Sequence, residues 1–463
     1  MMAKCYNEGR NGSPIIKNES RVNAMRRRFR ESSFYRLFNF ESERAQGRCV
    51  MLASSVLSNV ISWLTGSLFY TSFLMANGID LVKIGVISFV PYIANLFSVL
   101  SPSILERFPK RRWVLFGGRL TYHTLNIFAI TIMPMLVRDQ NARTACFVAL
   151  VFAANIVNAL FSSGYSAWHL NFIPNNIRAE YFSTASMIAS FIGIGTGLIS
   201  SLIADAFAAS PHAYTIIVTL RFVAYALALA EMWALSRPVE YPYEKTVDKV
   251  RLSDIVTKPF AHPKFILTVA VIMTSTFFVN TSASSVNYYL LNNVGTSYTY
   301  VYFLNMLYPI TMLFLIKPAQ RVINRFGWFM TYAVGAILYA MPSFLYSFVT
   351  AGNYLWMLAI VRIWQHVTGV ALNTASSNLP FVNMPDTDRT NYLAFHTIAA
   401  NAAAFLGMLF GTLFIKFWPN MNIVIGGFSF CNIQVLMWIE SFGRLLVGLM
   451  VLKLRPRLEP DAE

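Results

Sequence analysis

Arg362 and His366 stand four residues apart in an otherwise apolar stretch, so on a helix they share one face. Ionisable side chains are costly to bury among hydrophobic neighbours, and such positions are functional candidates. Two chemistries are open to this pair. Together the side chains can hold an anionic group, or His366 can carry a proton, since imidazole titrates closest to neutrality. The competing reading is structural: Arg362 pairs within a helix bundle and His366 donates to a backbone carbonyl. His123 and His396 are single histidines in apolar stretches and read as packing residues. Other ionisable residues of such stretches include Arg221, Glu231, Glu440 and Arg444, the last two spaced for an ion pair within one helix.

Neutral polar residues recur at the same helical spacing. Ser55, Asn59 and Ser62 form one stripe, Asn155, Asn158 and Ser162 a second, and Asn280, Ser284 and Asn287 a third. Such stripes supply donors and acceptors for a hydroxylated or mixed polar solute. They also serve where small polar residues bridge packed helices in a membrane. Trp63, Tyr165, Trp168, Tyr288, Tyr289 and Trp364 could stack on sugar or aromatic ligands, or act as interface anchors and core filler.

The elements that carry these stripes must be membrane helices. The 463 residues are 56% hydrophobic and only 13% charged, about half the charge of an ordinary soluble chain. Apolar runs of about 20 residues with few or no charges suffice to cross a bilayer. They occur at approximately 50–76, 84–105, 114–136, 145–170, 184–206 and 214–236, then at 265–291, 299–316, 328–350, 353–377, 393–415 and 431–453. The expected fold is therefore an all-α membrane protein of about twelve transmembrane helices in two six-helix halves. The organisation expected is a basic N-terminal tail (1–48), an N-terminal half (49–236), a central loop with one surface helix (237–264), a C-terminal half (265–453) and a tail (454–463). The segment MNIVIGGFSF before the last run is read as an outer loop.

A net charge of +16 would suit a nucleic-acid binder, but the Lys and Arg residues lie mainly between the apolar runs. They concentrate in the tails and the even-numbered connections, as in RRRFR at 26–30, KRR at 110–112 and KLRPR near the end. This bias predicts a multi-pass protein of the cytoplasmic (inner) membrane with both termini cytoplasmic. The polar start of the chain predicts a retained first helix rather than a cleaved signal. The scattered cysteines, Cys5, Cys49, Cys146 and Cys431, suit neither a metal cluster nor a disulfide framework.

The halves repeat each other. Pro174-Asn-Asn-Ile-Arg178-Ala-Glu-Tyr181 follows the fourth run and Pro385-Asp-Thr-Asp-Arg389-Thr-Asn-Tyr392 the tenth, both Pro-x3-Arg-x2-Tyr. ILERF at 104–108 and VINRF at 322–326 match after the second and eighth. On these motifs the chain resembles the major facilitator superfamily, whose halves are parallel repeats. The segment Glu106-Arg107-Phe108-Pro109-Lys110-Arg111 keeps the charge of the family's Asp-Arg-x-Gly-Arg-Arg pattern but not its glycine. The resemblance implies that the first, fourth, seventh and tenth helices line a central cavity and that the sixth and twelfth are peripheral. The four ionisable residues Arg221, Glu231, Glu440 and Arg444 are accordingly expected to give structural support. Glu106, Arg107, Arg111, Arg178, Arg325 and Arg389 are gating candidates, as charge networks that persist in one conformation and break in the other.

The expected function is secondary active transport of a small solute by alternating access; the alternative is a non-transporting sensor or scaffold of the same fold. The expected partners are a small-molecule solute, membrane lipids and a coupling proton or sodium ion, with no nucleic acid and a monomeric state. No P-loop, catalytic triad or metal-ligand spacing is present, so neither ATP-driven pumping nor an enzyme, cofactor or metal is expected.

Overall fold

The structure, a computed structural model, describes residues 33–105, 107–108, 110–174, 177–240, 252–385 and 389–459. Among the described residues, eleven helices are long and apolar enough to cross a membrane: Glu43–Ala76, Leu81–Leu100, Gln140–Leu170, Glu180–Ala206, Ala213–Leu235, Pro263–Val294, Tyr298–Phe326, Trp328–Tyr346, Tyr354–Val382, Asn391–Phe417 and Asn432–Leu458. Another, third in chain order, runs through Arg112–His123, a π-helical turn at Thr124–Ala129, and Ile130–Leu136. These are the first to twelfth transmembrane helices of an all-α, multi-pass membrane protein in two six-helix halves.

The connections are short and locally determined. Asp80 caps the second helix by accepting from the Lys83 amide at 2.9 Å, after Gly78 turns the chain at φ +76. The segment read as an outer loop forms a hairpin, β1 (Asn422–Ile425) against β2 (Phe428–Cys431), with Ile425 opposite Phe428. Gly426 and Gly427 supply the two positive φ values that a two-residue hairpin turn requires. The eighth helix runs past Pro318 to Phe326, ten residues beyond the apolar run that ends at 316, because its last turns are amphipathic. A surface helix, Leu252–Phe260, precedes the second half.

In the first half, the first and third helices are broken where they border the interior. The first helix interrupts at Gly66, and Ser67 takes a left-handed φ of 48, which L-residues rarely adopt. The third carries the π-helical turn. Arg221 of the sixth helix reaches both breaks, donating from Nη1 to the Thr65 carbonyl at 3.5 Å and from Nη2 to the Asn126 carbonyl at 3.1 Å. Backbone groups freed inside a bilayer need such partners.

The halves meet at the end remote from residues 33 and 459. There Asp205, closing the fifth helix, accepts from the Tyr298 and Thr299 amides at 2.9 and 2.7 Å, so one half caps the eighth helix of the other. Phe69 stacks on Tyr298 and Tyr302 at 5.4 and 5.2 Å, and Ser72 bonds the Tyr298 hydroxyl. Phe89 of the second helix meets Phe405 of the eleventh edge-on at 5.3 Å. One hydrophobic cluster, holding Leu64, Phe69, Tyr302 and Leu304, spans both halves. The cluster around Trp168 and Tyr181 belongs to the first half alone, and those around Phe329 and Phe265 to the second. The bundle is thus closed at one end, with separately packed halves at the other.

Candidate functional site

The cavity of the first half, about 550 Å³, is walled by helices one to four and six. Its basic residues are Arg119 and His123, one turn apart on the third helix, and Arg221 on the sixth. Ser58, Ser62, Asn126, Asn155 and Asn158 add neutral donors and acceptors. No carboxylate is among its described lining residues.

Behind this wall Glu231, with no exposed surface, organises the cations. Its Oε1 accepts from Arg119 Nη2 at 2.6 Å and Nε at 3.0 Å, from Ser54 at 2.5 Å and from Ser58 at 3.0 Å. The single hydroxyl proton of Ser54 is committed to Glu231, so Tyr165 donates to Ser54 at 2.5 Å. The Arg119 guanidinium lies over the Tyr165 ring, 4.4 Å from its centroid, and also donates to Ser58. Helices one, three, four and six are thereby tied through one carboxylate. His123 Nε2 is 3.3 Å from Glu231 Oε2 but outside hydrogen-bonding geometry, and both its ring nitrogens are buried without a hydrogen-bond partner.

The cavity of the second half is smaller, about 230 Å³, and mixes Arg362 and Glu440 with Asn287, Tyr339, Tyr346 and Gln365. Arg362 donates to Gln365 Oε1 and to the Tyr346 hydroxyl, both at 3.3 Å. Glu440 accepts from Ser282 and pairs with Arg444 at 2.8 Å, one turn along the same helix. A further cavity of about 360 Å³ lies between the halves, bordered by Trp63, Ile194, Asn305, Tyr308, His366 and Asn373.

Only some of the expected site residues meet these spaces. Ser62, Asn155 and Asn158 line the large cavity, Ser162 a narrow crevice beside Arg119, Asn287 and Arg362 the second cavity, and His366 the one between the halves. Ser55 bonds the Met51 carbonyl at 2.9 Å, and Asn59 accepts from Trp63 Nε1 at 3.0 Å. Asn280 donates to the Thr276 carbonyl at 2.8 Å, and Ser284 borders none of the described cavities. Arg362 and His366 do not converge on one space. His366 Nε2 lies 2.9 Å from the Leu304 carbonyl, as the structural reading anticipates. The ion pair of Glu440 and Arg444 forms as their spacing suggests, while Glu440 and Arg221 also border cavities.

Among the gating candidates, Arg107, Arg178, Arg325 and Arg389 are exposed. Arg111 donates from Nε to the Phe108 carbonyl at 3.3 Å, and its amide bonds Glu240. Glu106 lies outside the described residues, as do the basic run at 26–30 and parts of both Pro-x3-Arg-x2-Tyr connections. Arg119 is the residue that intrahelical spacing overlooks. The available signal is a lone Arg at the sixth residue of the third apolar run, needing a carboxylate that Glu231 supplies.

Residues 268–462 match the family model described as Major Facilitator Superfamily. No curated protein sequence matches the chain. Among solved structures, the nucleoside transporter NupG is similar with a TM-score of 0.64 at 10% identity, covering 89% of this chain and 99% of that one. The xylose transporter XylE from E. coli, in an inward open conformation, gives 0.55 at 15% identity over 89% and 94%. The POT family transporter PepTSo gives 0.62 at 12% identity over 89% and 98%. The second half thus matches the family model, and the fold of both halves is similar to that of these transporters.

Proposed function

We propose that this protein is a secondary active transporter that moves a small solute across the cytoplasmic membrane by alternating access, with both termini on the cytoplasmic side. The observation that carries the reading is the asymmetry of packing. The halves are joined by rings and an inter-half helix cap at one end, while polar cavities occupy their interiors. A bundle of two separately packed halves has a low-cost motion available to it, rocking about the interior, and a solute held there would be exposed to each side in turn. The basic tails and connections orient the closed end outward. Similarity of fold to transporters of nucleosides and xylose supports the reading without naming the cargo.

In this mechanism Ser62, Asn155 and Asn158 would contact solute beside Arg119, and Asn287 and Arg362 would face it from the other half. Arg107, Arg178, Arg325 and Arg389 would form or break contacts at the cytoplasmic end as it closes. Purified protein in liposomes, offered solute pools under an imposed pH or sodium gradient, should accumulate or release a compound. Binding without any flux in a folded sample would instead identify a sensor of the same fold.

A further inference from the structure

The cation inventory of the first-half cavity exceeds its anions. Glu231 neutralises Arg119 from behind, but Arg221, only 1% exposed, has no carboxylate partner among the described residues. A guanidinium carries five N–H donors. Bonds from Arg221 to the Thr131 hydroxyl and to the Thr65 and Asn126 carbonyls use three, leaving two. Arg119 Nη1 makes no hydrogen bond among the described residues, since Nε and Nη2 serve Glu231 and Ser58. His123, 4% exposed, lines the same space with both ring nitrogens lacking a hydrogen-bond partner. The Phe73 ring, 4.6 Å from the Arg221 guanidinium, offsets only part of the cost of burying a cation and unfilled donors in a low-dielectric bundle, and an anion entering the cavity offsets the rest.

We infer that the first-half cavity is an anion site, and that the transported solute is a small organic anion whose carboxylate or phosphate group is held among Arg119, His123 and Arg221. The inference rests on the transport reading only for the word transported; the site stands on its own geometry. Arg119 and Asn126 are seven residues apart, so the carbonyl that Arg221 holds lies roughly 10 Å along the third helix from the Arg119 backbone. The anionic group lies between these two points, beside His123, while the body of the solute extends along Ser62, Asn155 and Asn158. The volume suits a small molecule rather than a bare inorganic ion. Arg221 also supports two broken helices, and that role leaves its remaining donors free for a ligand.

The experiment compares matched solutes that differ in charge. Glucose, glucuronate and glucose 6-phosphate form one set, benzamide and benzoate another, each titrated onto purified full-length protein and read by thermal stabilisation. The anionic members should stabilise the protein and the neutral ones should not, and the stronger of the carboxylate and phosphate arms identifies the group. Apparent affinity should fall about tenfold or more in Arg221→Gln and in His123→Gln, and remain within twofold in Arg237→Gln, which alters an exposed arginine packed on Trp233 away from the cavities. If Arg221→Gln does not fold, His123→Gln and the charge comparison still decide the matter. No stabilisation by any anionic member, or loss confined to Arg362→Gln, overturns the inference. Flux in liposomes separates the two claims. Transport of neutral members without anion binding overturns the anion site and keeps the transporter; anion binding without flux of any member does the reverse.

Discussion

The two halves place the same residue types in different partnerships. Each sets a carboxylate of its last helix against a serine of its first, Glu231 with Ser54 and Glu440 with Ser282. In the second half the cation is Arg444, one turn along the same helix, so the pair moves as a unit with that helix. In the first half Arg119 lies on another helix, 112 residues from Glu231, and the bond fixes several helices together. The first arrangement also sets cations along a large cavity, whereas the second sets one cation and one anion along a small one. An ion pair can thus brace one helix or assemble a charged chamber, according to which element supplies the cation.

The sharpest way to break this contrast is Glu231→Gln. It leaves Arg119 buried without its counterion, a loss of roughly 3–5 kcal/mol for a pair of this kind. Thermal unfolding of the detergent-purified protein should register a large drop in Tm. Glu440→Gln should cost less, about 1 kcal/mol, because Arg444 keeps the Tyr339 face, 4.6 Å away, and is partly accessible. Equal losses from the two variants would refute the distinction.

At the closed end, Asp205→Asn removes a charged acceptor from two amides of the eighth helix, worth about 1 kcal/mol. Its effect should be on conformation more than on Tm, seen as faster labelling of a cysteine placed at Ser72. Unchanged labelling would show that Asp205 does not hold the halves together. The smallest effect is expected from Ser55→Ala, within about 0.5 kcal/mol, since that hydroxyl serves only its own helix's carbonyl. Ser58→Ala should be measurably worse, as Ser58 contacts both Glu231 and Arg119.

That last pair shows how far the sequence could be read. Hydrophobic runs disclosed the helices because crossing a bilayer demands a length and a polarity that local sequence records. The break at Gly66 and the π-helical turn at Thr124–Ala129 left no comparable mark, since uncharged residues continue through both. Periodicity found a polar stripe on the first helix but chose Ser55, Asn59 and Ser62. The interior face is Ser54, Ser58 and Ser62, rotated by about one residue. In a segment reading SSVLSNVIS both faces are polar, and only the neighbouring helix decides between them. The same limit hid Arg119: spacing within a helix reveals Glu440 with Arg444, but a bond between helices leaves no periodic trace. Asn155 and Asn158 were legible because the fourth helix presents one polar face to the interior.

The central claim is that the halves part at the end where they are now packed. Gly85 of the second helix faces Thr412 of the eleventh so closely that a Cβ at Gly85 would stand 3.1 Å from the Thr412 Cβ, near the span of a disulfide. The direct test is solute flux in liposomes by Gly85→Cys/Thr412→Cys, with Cys5, Cys49, Cys146 and Cys431 replaced by Ser. Alternating access predicts flux under reducing conditions, its loss on oxidation and its return on reduction. Undiminished flux with the bridge fully formed would contradict the account.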